Sequence, residues 1–388
     1  MSDNPRKIKQ WLYPVAAIAA IIVVAGGSFL AFQSKNNAVT QPPGNVSSAN
    51  AANSASNGVV DPGSSLEGRP APQFTLTDQF GKTVSLSQFK GKVVVLAFVD
   101  SECTNICPLT TESMMRALQM LGPRAAKDVQ LLGINANPQA VSISDVKTYS
   151  ENHNMMNSWH FLTGSDSQLK SVWKNYYIYD QIVNGQIDHT PALYIIGPNG
   201  KEQYLFMTPP QYAAVDAQAS VLAEQVAKFL PATVKPQLTT VAYHAPTISP
   251  AVQTALPLAD GAGAAHIGPG HPQLLVYFAS WSQNVKQNLQ ALDTYAGSKG
   301  APATIAIDVL PTEPNNQPNE RLLKAVNPQH YQIALDKTGD VTDAYHVSDL
   351  MWITLTDGHG HIIWSHDGWL PIQTLSTKVQ AALQKTHG

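Results

Sequence analysis

Val93 to Val99 is seven apolar residues without a break, and it runs directly into the segment that holds the chain's only two cysteines, Cys103-Thr104-Asn105-Ile106-Cys107-Pro108. An unbroken apolar run of that length reads as a strand buried on both faces, inside a sheet that helices must cover. From about Pro108 to Leu121, the spacing of Met114, Leu118 and Leu121 gives the first covering helix. Val129 to Ile134 is a second strand, and helices around Ser144 to His153 and Ser167 to Tyr176 separate it from a third, Ala192 to Ile196. A turn at Gly197-Pro198-Asn199-Gly200 leads into Glu202 to Phe206, and a helix from about Tyr212 to Phe229 closes the unit. Ahead of these elements, Phe74-Thr75-Leu76 and Val84-Ser85-Leu86 flank a turn and read as a short hairpin.

Strand, helix, strand, helix, hairpin, helix is the order of a thioredoxin-like α/β fold. A second stretch repeats it: strand Leu274 to Phe278, helix Asn284 to Tyr295, strands Ala303 to Val309, Ile353 to Thr356 and Ile362 to Ser365, and helix Ile372 to Leu383. The fold class expected is therefore α/β with two thioredoxin-like domains, at 71–230 and 273–388, joined by a Pro-, Ala-, Thr- and Gly-rich linker at 231–272 with at most one short strand. In the second domain, Ala279-Ser280-Trp281-Ser282-Gln283-Asn284-Val285 sits where thioredoxins carry Trp-Cys-x-x-Cys, and Ser282 and Val285 replace both cysteines. Met351 falls where the cis-proline would be. No thiol chemistry is available there, so the second domain reads as a binding or scaffolding module.

The N-terminus adds a location. Trp11 to Phe32 is apolar and uncharged, and as a helix it would span roughly 33 Å, enough to cross a hydrocarbon core. Arg6, Lys7 and Lys9 precede it while Lys35 follows, which puts residues 1–10 in the cytoplasm, a single transmembrane anchor at 11–32, and the bulk of the chain outside. The run is long for a cleaved signal peptide, and Phe29-Leu30-Ala31-Phe32 lacks a small-x-small cleavage pattern. Residues 33–70, rich in Asn, Ser, Ala, Gly and Pro, read as a disordered tether spanning on the order of 30 Å. With a net charge of -3 and 13% charged residues, the chain has no basic field for nucleic acid.

Chemistry concentrates on Cys103, Cys107 and a distant imidazole. Pro is favoured in the first turn of a helix, so Cys107 is expected to cap the helix and Cys103 to lie in the loop before it. The helix N-terminus favours thiolate over thiol. Four residues apart, the sulfurs have no other cysteine partner, and both shared metal binding and a mutual disulfide stay open. Asp188-His189-Thr190-Pro191 precedes the third core strand. In a thioredoxin-like sheet that loop lies opposite the first helix's N-terminus, which would bring the His189 imidazole to the sulfurs. Asp188 is placed to orient the ring, and a cis bond is expected before Pro191. Two thiolates and one imidazole suit copper, Cu(I) above the harder divalent ions.

These residues resemble the SCO/SenC family of membrane-anchored copper-binding proteins, over roughly Pro70 to Leu230. The likeness is carried by Gly91-Lys92-Val93-Val94-Val95, Cys-x-x-x-Cys-Pro, Phe161-Leu162-Thr163-Gly164 and Asp188-His189. It implies that Cys103, Cys107 and His189 hold copper, as Cu(I) or Cu(II). It also implies that the protein delivers copper to the binuclear copper site of cytochrome c oxidase subunit II, or reduces that subunit's cysteines. Where many members of the family carry Asp-Pro after the second strand, this chain has Asn135-Ala136-Asn137-Pro138.

The leading expectation is thus a membrane-anchored, extracytoplasmic copper chaperone, a ligand-transfer protein rather than a turnover enzyme. The alternative is a tethered thiol-disulfide oxidoreductase cycling Cys103 and Cys107. A peroxidase fits less well, because Asp100 stands where peroxiredoxins place a proline. His359, His361 and His366 read as loop residues, and Met114-Met115 and Met155-Met156 as packing residues rather than copper thioethers.

Overall fold

The computed structural model describes residues 59–183 and 186–385. The segments 1–10 and 11–32, read as a cytoplasmic end and a membrane span, lie outside the described residues, as does the tether up to residue 58. Among the described residues no helix is long and apolar enough to cross a membrane. The far end of the expected tether is a strand instead: Ser64–Pro70 forms β1, antiparallel to the edge of the first sheet. Gly63, at φ 82°, makes that approach feasible, because a Cβ there would lie 2.5 Å from the Phe206 ring.

The first unit continues with the hairpin β2 (Thr75–Thr77) and β3 (Thr83–Ser85), then β4 (Val93–Val99), α1 (Ile106–Ala125), β5 (Val129–Asn135), α2 (Ile143–Asn152) and β6 (Trp159–Leu162). It is completed by α3 (Asp166–Asn175), a second hairpin β7 (Asp180–Val183) and β8 (Gln186–His189), then β9 (Ala192–Ile196), β10 (Lys201–Met207) and α4 (Val215–Ala227). The sheet runs β1-β10-β9-β4-β5-β6, with β4, β5 and β6 parallel and β9 antiparallel to β4. Strand geometry sends successive side chains to opposite faces. Val93, Val95, Ala97 and Val99 therefore pack with residues of α1, α2 and α4, while Val94, Leu96 and Phe98 pack with α3 and the first hairpin. Both faces of β4 are covered, which is why its sequence is apolar throughout.

A hairpin of β11 (Thr254–Pro257) and β12 (Ala264–Ile267) follows, where at most one strand was expected in the 231–272 segment. Then come β13 (Gln273–Phe278), α5 (Val285–Ala296), β14 (Ala303–Val309), α6 (Glu320–Val326), β15 (Gln332–Asp336), α7 (Asp340–Ala344), β16 (Trp352–Thr356), β17 (Ile362–Asp367) and α8 (Ile372–Lys385). The second sheet, β15-β14-β13-β16-β17, has β13, β14 and β15 parallel and β16 antiparallel to β13. This reproduces the order and directions of β6-β5-β4-β9-β10.

All described residues belong to one compact unit, and the two sheets share apolar core. One face of the second sheet packs on α5, α6 and α8. The other packs with α7 and with Leu109, Tyr212 and Val215 of the first unit, so the start of α1 is embedded where the sheets meet. Polar groups seal the contact. Arg116 donates to Asp216 Oδ1 at 2.6 Å and to the Pro311 carbonyl at 2.9 Å, and the His153 and Trp281 rings lie 5.1 Å apart. Met114 and Met155 are fully buried, in keeping with packing roles. The Thr190–Pro191 bond is not cis, contrary to expectation; the cis bond among the described residues is Leu350–Met351. Around Pro191 the Ala192 N–H instead turns back to the Thr190 carbonyl at 2.8 Å.

Candidate metal centre

The loop between β4 and α1 begins at Asp100, whose buried carboxylate fixes it. Asp100 Oδ1 accepts the Glu102 N–H and the Asn137 side-chain amide, both at 2.8 Å, and its carbonyl accepts the Cys103 N–H at 3.3 Å. Asn137 is held in turn by the N–H groups of Gln139 and Ala140. The two asparagines of Asn135-Ala136-Asn137-Pro138 are therefore buried braces of the cysteine loop.

Asn105, not Cys107, caps α1: its Oδ1 accepts the Ile106 N–H at 2.6 Å and also the Cys103 thiol at 3.1 Å. Cys107 is the second helical residue, and its N–H donates to Cys103 Sγ at 3.3 Å. Both thiols are free; Cys103 is half-buried and Cys107 is buried. The expected bias toward thiolate is overturned at Cys107. Burial pushes its thiol well above the ordinary value, and the neighbouring Cys103 adds to the rise. A helix terminus supplies about 0.3–1 kcal/mol toward an anion. Full burial moves a pKa by up to roughly 3–5 units, several kcal/mol in the opposite direction.

His189 arrives from the other side, at the end of β8. The hairpin pairs Asp180 with His189, and its base is pinned by Thr190 N–H to the Tyr179 carbonyl at 3.0 Å and Tyr179 N–H to Thr190 Oγ1 at 3.1 Å. The buried ring places Nε2 3.6 Å from Cys107 Sγ, while Nδ1 lies 3.1 Å from the Thr190 carbonyl. A carbonyl only accepts, so Nδ1 carries the proton and Nε2 presents its lone pair to the sulfur. Burial holds the imidazole below its usual pKa, which keeps it neutral and able to ligate. The ring is thus oriented by Thr190, not by Asp188, which is exposed on the hairpin opposite Gln181. Among the described residues no three His, Cys, Asp or Glu side chains are already gathered around one point. Cys107 and His189 meet, and Cys103, whose thiol donates to Asn105, keeps its sulfur beside Cys107, where it accepts that residue's N–H. A change of staggered χ1 rotamer is the ordinary way to redirect such a half-exposed side chain.

Cys103 and His189 line a cleft of about 540 Å³ whose other wall belongs to the second unit, with Asp343, His346, Val347 and Ser348. Carboxylates of Asp100, Asp188 and Asp343 line it, and no Lys or Arg does. A smaller adjoining cavity of about 210 Å³ brings Asp349 to Thr104 and Cys103. Burial raises the Asp349 carboxyl, and Thr104 acts against that rise. Nothing in the sequence pattern pointed to this second wall, because its residues lie more than 150 positions from His189 in a segment with no motif. His361 sits at an exposed turn, its Nδ1 3.1 Å from Asp357, and His366 Nδ1 bonds the Gly368 carbonyl.

The family model described as SCO1/SenC matches residues 64–227. The chain is similar to the SCO1 protein homolog of Bacillus subtilis (strain 168), 30% identical over 133 residues, which is 33% of this chain and 68% of the relative. It is similar to a putative copper-binding protein of Stutzerimonas stutzeri, 28% identical over 137 residues, covering 34% of this chain and 66% of that protein. The crystal structure of Arabidopsis thaliana ScoI with copper bound aligns with a TM-score of 0.37 at 22% identity, over 41% of this chain and 99% of that one.

Proposed function

The chain belongs to the SCO1/SenC family, and on that premise we propose that it is an extracytoplasmic copper carrier that holds the ion through Cys103, Cys107 and His189. Its recipient is the binuclear copper site of cytochrome c oxidase subunit II, which it loads or whose cysteines it reduces. The anchor expected at 11–32 keeps it at the membrane that houses that partner. The observation that carries the reading is the pairing of His189 Nε2 with Cys107 Sγ at 3.6 Å while Nδ1 is committed to a backbone carbonyl. A metal-binding histidine is commonly fixed in this way, one nitrogen held by an acceptor and the other free to ligate.

The donor set suits copper. Thiolate sulfur selects Cu(I), and the cleft's carboxylates without Lys or Arg favour a cation over an anionic substrate. Binding requires the Cys107 proton to leave, so loading releases protons and strengthens as pH rises. Cys103, half-exposed, swings toward Cys107 and His189 to complete three ligands. The second sheet, with serine and valine at the positions of a redox pair, acts as a thiol-free thioredoxin-like scaffold.

A second reading is thiol-disulfide exchange, favoured by the asymmetry of the pair: a half-exposed Cys103 to attack and a buried Cys107 beside it to resolve. One pair of titrations separates the two. Reduced protein is titrated with Cu(I) against a competing chelator, and turnover of a protein disulfide is followed in parallel. The carrier reading expects one ion per chain, weakened in His189→Ala, which still forms the Cys103–Cys107 disulfide. Unchanged copper binding in His189→Ala, together with catalytic disulfide turnover, puts the oxidoreductase in its place.

A further inference from the structure

We propose that His346, on the second unit, is a transit ligand that takes up the cargo cation at the cleft and passes it to Cys103, Cys107 and His189. The inference rests on the copper-carrier reading above. His346 lies outside residues 64–227, so the family match does not assign it.

Three observations carry it. His346 lines the same cleft as Cys103 and His189, from the opposite wall. Its ring is exposed and, among the described residues, enters no hydrogen bond, ion pair or ring contact, while its backbone N–H is spent on the Asp343 carbonyl at 3.0 Å. Its position is fixed on both sides by contacts to the first unit. Three residues earlier, the Asp343 carboxylate accepts the N–H groups of Tyr212 and Ala213 at 2.9 and 3.0 Å; three residues later, Asp349 lies against Thr104 of the cysteine loop. An imidazole with no structural task thus shares one carboxylate-lined cleft with a thiol and a second imidazole.

Chemistry gives that placement a use. The exposed His346 imidazole can meet a cation entering the cleft, whereas the Cys107 sulfur is buried behind it. In the proposed sequence the donor's bond to Cu(I) breaks as a His346–copper bond forms. The His346 bond then breaks as the Cys103 sulfur binds and its proton passes to water. Copper stays Cu(I) throughout, so no oxidant or reductant is needed. A group that acts only in transit speeds loading and unloading alike and leaves the equilibrium untouched.

The test uses the full chain, reduced and loaded with one Cu(I). Rates of loading and of removal by an excess of a chromogenic Cu(I) chelator are measured along with the equilibrium affinity. His346 sits at φ 58°, so the variant is His346→Asn, which tolerates that backbone better than alanine does. The expected result is that both rates fall by about tenfold with the affinity unchanged, and that added imidazole restores them. Rates equal to wild type overturn the inference, as does a loss of affinity, which would make His346 a resident ligand or a structural residue. A wild-type chain that binds no Cu(I) removes the carrier reading and this inference with it, whereas normal binding with unaltered rates in His346→Asn removes this inference alone.

Discussion

The Asp343 carboxylate accepts the Tyr212 N–H at 2.9 Å, tying α7 of the second sheet to the turn that starts α4 of the first. The cleft lined by Cys103 and His189 therefore lies where the two sheets meet, and changes at that junction bear on both.

Gly339, just ahead of α7, tests how tight the junction is. It sits at φ 82°, and a Cβ there would lie 2.6 Å from Tyr212 Cβ and 2.7 Å from its carbonyl carbon. Gly91, at φ 95°, has nothing within 4 Å of its Cβ position. Gly91→Ala is expected to cost about 1–2 kcal/mol from backbone strain alone. Gly339→Ala adds an overpacking penalty of roughly 1–3 kcal/mol. Denaturant unfolding of the two variants reads the difference, and equal losses would mean that the junction yields.

Stability should depend on pH through Glu112, buried on α1 near Arg116. Burial pushes its carboxyl up from 4.5 to about 8, with Arg116 opposing only in part. The unfolded chain ionises this group above pH 4.5 while the folded chain keeps it protonated. Its stabilising contribution is therefore full below pH 4.5 and lost as pH rises toward about 8. His153 runs the other way: burial lowers it from 6.5 to about 3, so its contribution is present above pH 6.5 and lost as pH falls toward 3. Urea midpoints measured from pH 5 to pH 8 should fall less in Glu112→Gln than in wild type; parallel curves would refute the assignment.

The two thiols should react unequally. Cys107 is buried with its thiol raised, and Cys103 is half-exposed. Alkylation of the reduced native protein, followed by mass spectrometry, is expected to label Cys103 well before Cys107, and denaturant should erase the difference. Preferential labelling of Cys107 would contradict the burial described.

What could be read from the sequence divides along physical lines. β4 and β9 are continuous apolar runs and announce themselves, whereas β15 is Gln-Ile-Ala-Leu-Asp, with polar residues at both ends of a short stretch, and β7 and β8 pair only with each other. The approach of His189 to Cys107 followed from element order, since 82 positions separate them and no local spacing encodes the contact. The acidity expected of Cys107 failed because a helix terminus is a local signal and burial is a tertiary one. Orientation of the ring by Thr190 and the Asn105 cap lie inside the motifs but depend on local backbone and side-chain geometry that residue identity does not encode, while the wall formed by Asp343, His346 and Asp349 depends on contacts with a distant segment that carries no motif.

The most direct test is X-ray absorption at the copper edge on the reduced full chain carrying one Cu(I). Wild type should show two sulfur scatterers and one nitrogen. His189→Ala should lose the nitrogen with both sulfurs kept, and either Cys103→Ser or Cys107→Ser should lose one sulfur. A first shell that is unchanged by His189→Ala, or copper that stays bound after both cysteines are replaced, would contradict the three-ligand site.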